Sequence, residues 1–174
     1  HGATGQPMTS IGTGAIRNIA IGNQNLTNLA AGDDNIAIGK FCLAVNDGSG
    51  NLAIGNSVLQ YGASHNQNTL LGMYNSPQSN ATGFYRNTFV GYGGGYSNNS
   101  GDYNTSIGSY ARAYYNNTSY STAIGYAAIP GFNHCTNLGT YTGASMNGQS
   151  DYCTFVGSYA GYDMDGGDRC TFVG

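Results

Sequence analysis

An all-β, repetitive β-solenoid or β-roll with about 17 residues per coil is the fold class that this sequence predicts. A pair of an aliphatic residue and Gly recurs along the chain. The residues ahead of each pair repeat in type. No stretch shows the three-and-four apolar spacing of a helix, and Gly and Asn are too frequent for one.

The pairs are Ile11-Gly12, Ile21-Gly22, Ile38-Gly39, Ile54-Gly55, Leu71-Gly72, Val90-Gly91, Ile107-Gly108, Ile124-Gly125, Leu138-Gly139, Val156-Gly157 and Val173-Gly174. Successive glycines lie 10, 17, 16, 17, 19, 17, 17, 14, 18 and 17 residues apart. Four residues before the Gly stand Asn18, Asn35, Asn51, Asn68, Asn87 and Asn104, then Ser121, Cys135, Cys153 and Cys170. Three before, Ile19, Ile36 and Leu52 give way to Thr69, Thr88, Thr105, Thr122, Thr136, Thr154 and Thr171. Two before, the residue is usually Ala or Phe.

Each unit reads as a short strand closed by a Gly at a tight corner, with Asn, Ser, Gly and Asp between strands. Alternate side chains of a strand face opposite ways. The residues one and three before the Gly therefore share a face, and both faces are apolar or small. The expectation is that the aliphatic and Thr face fills the coil. The face carrying Phe89, Phe155 and Phe172 would then meet another chain or layer. Val58, Gly94, Ala111, Ala128, Thr142 and Ala160, three beyond the Gly, suggest a second short strand or a close approach. One unit cannot bury its own face, but stacked units can. Ten coils about 4.8 Å apart would make a rod of roughly 50 Å.

Residues 1–174 read as a single repetitive segment, and the ending in phase at Gly174 suggests a piece of a longer fibrous chain. The long step before Gly91 reads as an enlarged loop. From Tyr74 onward the chain carries 14 of its 15 tyrosines.

Composition narrows the function. Only 7% of residues are charged, the formal net charge is −3, and the five basic residues are scattered, which argues against a nucleic-acid partner. The apolar runs are far too short for a membrane-spanning helix. All eight acids are Asp, placed between strands, and no catalytic pair can be picked out, so no enzyme is expected. His65 and His134 have no evident partner. Asp163, Asp165 and Asp168 form a weak calcium candidate without the distal Glu of an EF-hand, and a polar turn is preferred; no metal or other cofactor is expected. The Asn column, continued by Cys135, Cys153 and Cys170, reads as a structural ladder, and the cysteines as an inward row of free thiols. Tyr combines a flat apolar face with a hydroxyl, so Tyr85 with Arg86, and Tyr114 with Tyr115, are candidate receptor contacts. A Thr array could also bind ice, but Thr on an inward face would be buried.

Asn18-Ile19-Ala20-Ile21-Gly22 and the units ending at Gly39 and Gly55 resemble the head repeats of trimeric autotransporter adhesins. Asn87-Thr88-Phe89-Val90-Gly91-Tyr92 and Cys153-Thr154-Phe155-Val156-Gly157 are similar to repeats of phage tail fibres. The likeness covers roughly residues 8–174, although the period here is longer than the adhesin repeat. The resemblance implies a homotrimer: a tail-fibre shaft or head segment, located in the virion and used for host attachment. A bacterial cell-surface adhesin head is the alternative, and a glycan-cleaving fibre enzyme the third reading. It also implies a host-surface glycan or protein as receptor. Free thiols suit assembly in a reducing cytoplasm, which favours the phage fibre.

Overall fold

The computed structural model describes residues 14–29, 31–62, 64–75, 83, 85–95, 100–111, 118–130, 133–144 and 151–174. The chain winds as a β-solenoid. Its strands are β1 (Ile19–Asn23), β2 (Ile36–Lys40), β3 (Leu52–Asn56), β4 (Thr69–Met73), β5 (Thr88–Tyr92), β6 (Thr105–Ile107), β7 (Thr122–Ile124), β8 (Thr136–Leu138), β9 (Thr154–Val156) and β10 (Thr171–Val173). They form one ten-stranded parallel sheet in chain order. Equivalent residues stand in register, as in Ile21 opposite Ile38 and Thr88 opposite Thr105.

The recurring Gly makes this stacking possible. At Gly55 φ is +142°, and a Cβ there would lie 1.5 Å from the carbonyl oxygen of Gly72 in the next coil. Any side chain would drive the coils apart. The residues three beyond the Gly make close approaches to the interior, without a named strand. Val58, Ala111, Ala128 and Thr142 are all fully buried.

The interior lies on the other side of the strands from the one expected. Ala37, Ala53, Leu70, Phe89, Ala123 and Phe155, each two before the Gly, are fully buried. The flanking Thr and aliphatic residues are half-buried or exposed, as in Thr105-Ser106-Ile107. Phe89 and Phe155 therefore fill the coil and do not face a partner; Phe172, in the last strand, is 44% exposed. Alternation alone gave the two faces but not their direction, because both are uncharged.

Size complementarity holds the interior to one width. Where the inward strand residue is Ala37 or Ala53, the residue four beyond the Gly is Leu43 or Leu59, both fully buried. Where it is Phe89 or Phe155, that corner residue is Gly95 or Gly161. A Cβ on Gly95 would sit 2.1 Å from the Phe89 ring, and one on Gly161 2.3 Å from the Phe155 ring. The coils of Ala37, Ala53, Phe89 and Phe155 are thus each filled by one large apolar group, from strand or from corner, and close packing leaves no room for two. In β8 Asn137 takes the inward place, and its amide donates to the carbonyls of Ile129 and Thr142 at 3.0 Å each.

Candidate functional site: the corner columns and the break at Tyr85-Arg86

Because coils stack in register, a sequence position becomes a column along the rod. The Asn column is continuous, and buried from Asn35 to Asn104. Asn18 Oδ1 accepts from the Asn35 N–H at 2.9 Å, Asn35 Oδ1 from Asn51, and Asn51 Oδ1 from Asn68. Asn68, Asn87 and Asn104 pass the pattern on to Ser121. Their amide groups donate to the corner, as from Asn104 Nδ2 to the Thr118 carbonyl at 2.6 Å. Polar groups are thereby satisfied where water is absent. Ser121 Oγ then accepts from Cys135 N–H, and Cys153 Sγ from Cys170 N–H at 3.4 Å. Cys135 and Cys153 are fully buried, and none of the four cysteines is in a disulfide. Burial pushes the Cys153 thiol up to about 11.

Two columns outside run along the corners. The residue just ahead of the Asn column takes a left-handed φ, as in Arg86 at 56° and Tyr152 at 60°. There Tyr103, Tyr120, His134 and Tyr152 stack face to face, with ring centroids 4.7–5.0 Å apart. His134 is therefore held between two tyrosines. His65 is partnered too: its Nε2 lies 3.2 Å from the carbonyl of Tyr61, and burial pulls its pKa down to about 4. After the strands, Tyr74, Tyr92, Tyr110, Tyr126, Tyr141 and Tyr159 form a second aromatic column. Tyr92 and Tyr126 stand one beyond the Gly and the others two beyond. That offset turns neighbouring rings edge to face, whereas Tyr141 and Tyr159 share a position and stack at 24°.

The column six before the Gly obeys its own rule: each backbone N–H donates to a side-chain oxygen of the same position one coil on. Ile16 donates to Asp33 Oδ1, Asp33 to Ser49 Oγ and Ser49 to Asn66 Oδ1. Tyr85 donates to Asp102 Oδ1, Asp102 to Ser119 Oγ and Ser119 to Asn133 Oδ1. Asn133 donates to Asp151 Oδ1, and Asp151 to Asp168 Oδ1. The step from Asn66 to Tyr85 breaks the rule, since Tyr carries no oxygen near its backbone. The two residues meet only as an isolated parallel bridge.

A cavity of about 460 Å³ opens at this break, lined by Asn66, Gln67, Tyr85, Arg86, Asp102 and Tyr103. Arg86 is fixed within it. Its Nε donates to Gln67 Oε1 at 2.7 Å, its Nη1 donates to the Tyr103 hydroxyl, and its guanidinium lies over the Tyr103 ring at 5.4 Å. Tyr85 and Tyr103 are 43% and 41% exposed. The structure thus sets Tyr85 and Arg86 in a cavity with four residues that the sequence reading did not single out. They were findable, because Tyr85-Arg86 departs from the Asp, Asn or Ser filling the preceding position in most coils.

Tyr114 and Tyr115 lie outside the described residues. Asp163, Asp165 and Asp168 are all exposed, and among the described residues no group of three metal-ligating side chains comes together. The only ion pair among those residues joins Arg17 and Asp34 at 2.5 Å on the surface. No helix is long and apolar enough to cross a membrane among them. No protein family, curated protein or solved structure matches the chain.

Proposed function

We propose that this chain is a shaft or head segment of a homotrimeric phage tail fibre, whose work is mechanical reach and host attachment. The observation that carries the reading is the outward stripe of the sheet. In every strand the residues one and three before the Gly are Ile, Leu, Val or Thr, and none is charged. Ile19 and Ile21 are 48% and 58% exposed, and Ile107 and Ile124 are each 39% exposed.

Ten strands about 4.8 Å apart give the stripe a length of about 43 Å. From one tyrosine column to the other is about six residues, or roughly 20 Å. The face then offers about 850 Å², close to the roughly 800 Å² per partner of a specific interface. The rows one and three before the Gly are uncharged along that whole length, with charge confined to the borders at Arg17, Asp34, Lys40, Arg86 and Arg169, and such a stripe fits a second copy of the same rod, in register. The tyrosines flanking it suit a rim with hydroxyls in water. The outward Thr rows belong to this interface in our reading, in place of the inward position first expected for them.

The same stripe would serve a bacterial surface adhesin head. The thiol column favours the virion, because stacked cysteines outside disulfides suit assembly under reducing conditions. Light scattering on the intact chain tests self-association, with the mass of a trimer expected and a stable monomer rejecting it. Ile107→Glu with Ile124→Glu should disperse the trimer to monomers that keep their β-sheet circular dichroism.

A further inference from the structure

We infer that the cavity at the broken rung binds a neutral hexopyranose unit of a surface glycan, gripping two adjacent hydroxyls between Arg86 and Asp102. The inference rests on the attachment reading above and goes beyond it by assigning a site and a ligand class. Its starting point is the coincidence of three departures from the repeat. The step between Gly72 and Gly91 is the longest in the chain, at 19 residues. The backbone-to-side-chain ladder fails only between Asn66 and Tyr85 among its described rungs. The cavity opens at that place. A repeat that satisfies its own rule elsewhere and breaks it at a cavity marks a place shaped for something other than stability.

The lining decides the chemistry. Gln67 and Tyr103 accept from Nε and Nη1 of the Arg86 guanidinium and fix its plane, while the fork still has further N–H donors to offer. Asp102 spends Oδ1 on the Tyr85 N–H, and its second oxygen remains as a charged acceptor. Arg86 and Asp102 are not paired with each other, since the single ion pair among the described residues is elsewhere. A ligand that engages both supplies an acceptor to Arg86 and a donor to Asp102. Adjacent pyranose hydroxyls do so: one oxygen accepts from the guanidinium, and the neighbouring O–H donates to the carboxylate. The exposed Tyr85 ring offers an apolar surface to the C–H face of a sugar. A sulfated or carboxylated sugar would meet the Asp102 charge, and the two opposite charges leave the cavity no preference for an anion. The volume lies within the range of small-molecule sites.

Saturation-transfer NMR on the intact chain tests this with methyl glycosides of mannose, galactose and glucose, and with sialic acid and a sulfated glucose as acidic probes. At least one neutral glycoside should bind in the millimolar range, and its deoxy analogue lacking one of the two hydroxyls should not. Asp102→Asn keeps the oxygen that holds Tyr85 but loses the charged acceptor, and should weaken binding about tenfold or more. Arg86→Leu should remove it. Binding of the acidic probes alone, or tighter binding by Asp102→Asn, would overturn the assignment. A trimer that binds none of the neutral glycosides would overturn it while leaving the fibre reading in place. A monomer that binds one would support it and reject only the fibre reading.

Discussion

Replacing Phe89 by Ala probes which side of the strands is the interior. Phe89 is fully buried in the cluster with Leu59 and Leu70. Removing its ring forfeits about 150–250 Å² of apolar burial, or about 4–6 kcal/mol at 25 cal/mol per Å². Measured losses for such truncations run at about 3–5 kcal/mol. Gly95 lies against the ring and has no side chain with which to refill the space. With a urea dependence of about 2 kcal/mol per molar, a loss of about 4 kcal/mol lowers the unfolding midpoint by about 2 M. The control is Val90→Thr in the same strand. Val90 points outward on the stripe where Thr88 already carries a hydroxyl, so a hydroxyl of equal size finds water or a polar partner there and the change should stay within about 0.5 kcal/mol. Burying that hydroxyl unpaired would cost about 1–3 kcal/mol. Tyrosine fluorescence against urea, at one protein concentration for all variants, measures both. A loss from Val90→Thr equal to that from Phe89→Ala would refute the inward assignment of the aromatic position.

Two further outcomes follow from the buried polar groups. Asn68 accepts from Asn87 N–H and donates to Asn51, so Asn68→Ala leaves buried groups unpaired and should cost about 2–3 kcal/mol by urea denaturation. Asn104→Ser should cost less, because Ser121 already fills that role one coil on. His65 is buried neutral with its pKa pulled from 6.5 to about 4, so the unfolded chain takes up a proton at higher pH than the folded one. Its contribution is complete above pH 6.5 and is lost as the pH falls toward about 4, by about 3 kcal/mol in all. Urea midpoints between pH 7.5 and 4 measure the slope, and His65→Gln should flatten it.

The strands and their phase were legible in the sequence because parallel coils in register force one residue type to recur at one position. The column of Asn18 to Asn104 was visible for the same reason. The direction of the faces was not legible from alternation, since Thr88 and Val90 look as suited to an interior as Phe89 does. A finer signal was present: Ala37 goes with Leu43 and Phe89 with Gly95, and such exchange of bulk makes sense only for groups sharing one enclosed space. The cavity was half legible. Tyr85 and Arg86 stood out as an aromatic and a basic neighbour. Asp102 and Tyr103, 17 residues on, became their neighbours only once the coil period was applied as a distance.

Strict registry also has a consequence for how such a chain can change. Each coil presents the same row of backbone donors and acceptors to the one above and the one below. Deleting or duplicating a whole coil therefore rejoins matching edges, altering the rod by about 4.8 Å while leaving both ends intact. A partial deletion shifts every later column out of line. Extent can be tuned in whole steps without re-solving the fold, whereas a single residue gained or lost inside a strand is felt along all the coils beyond it.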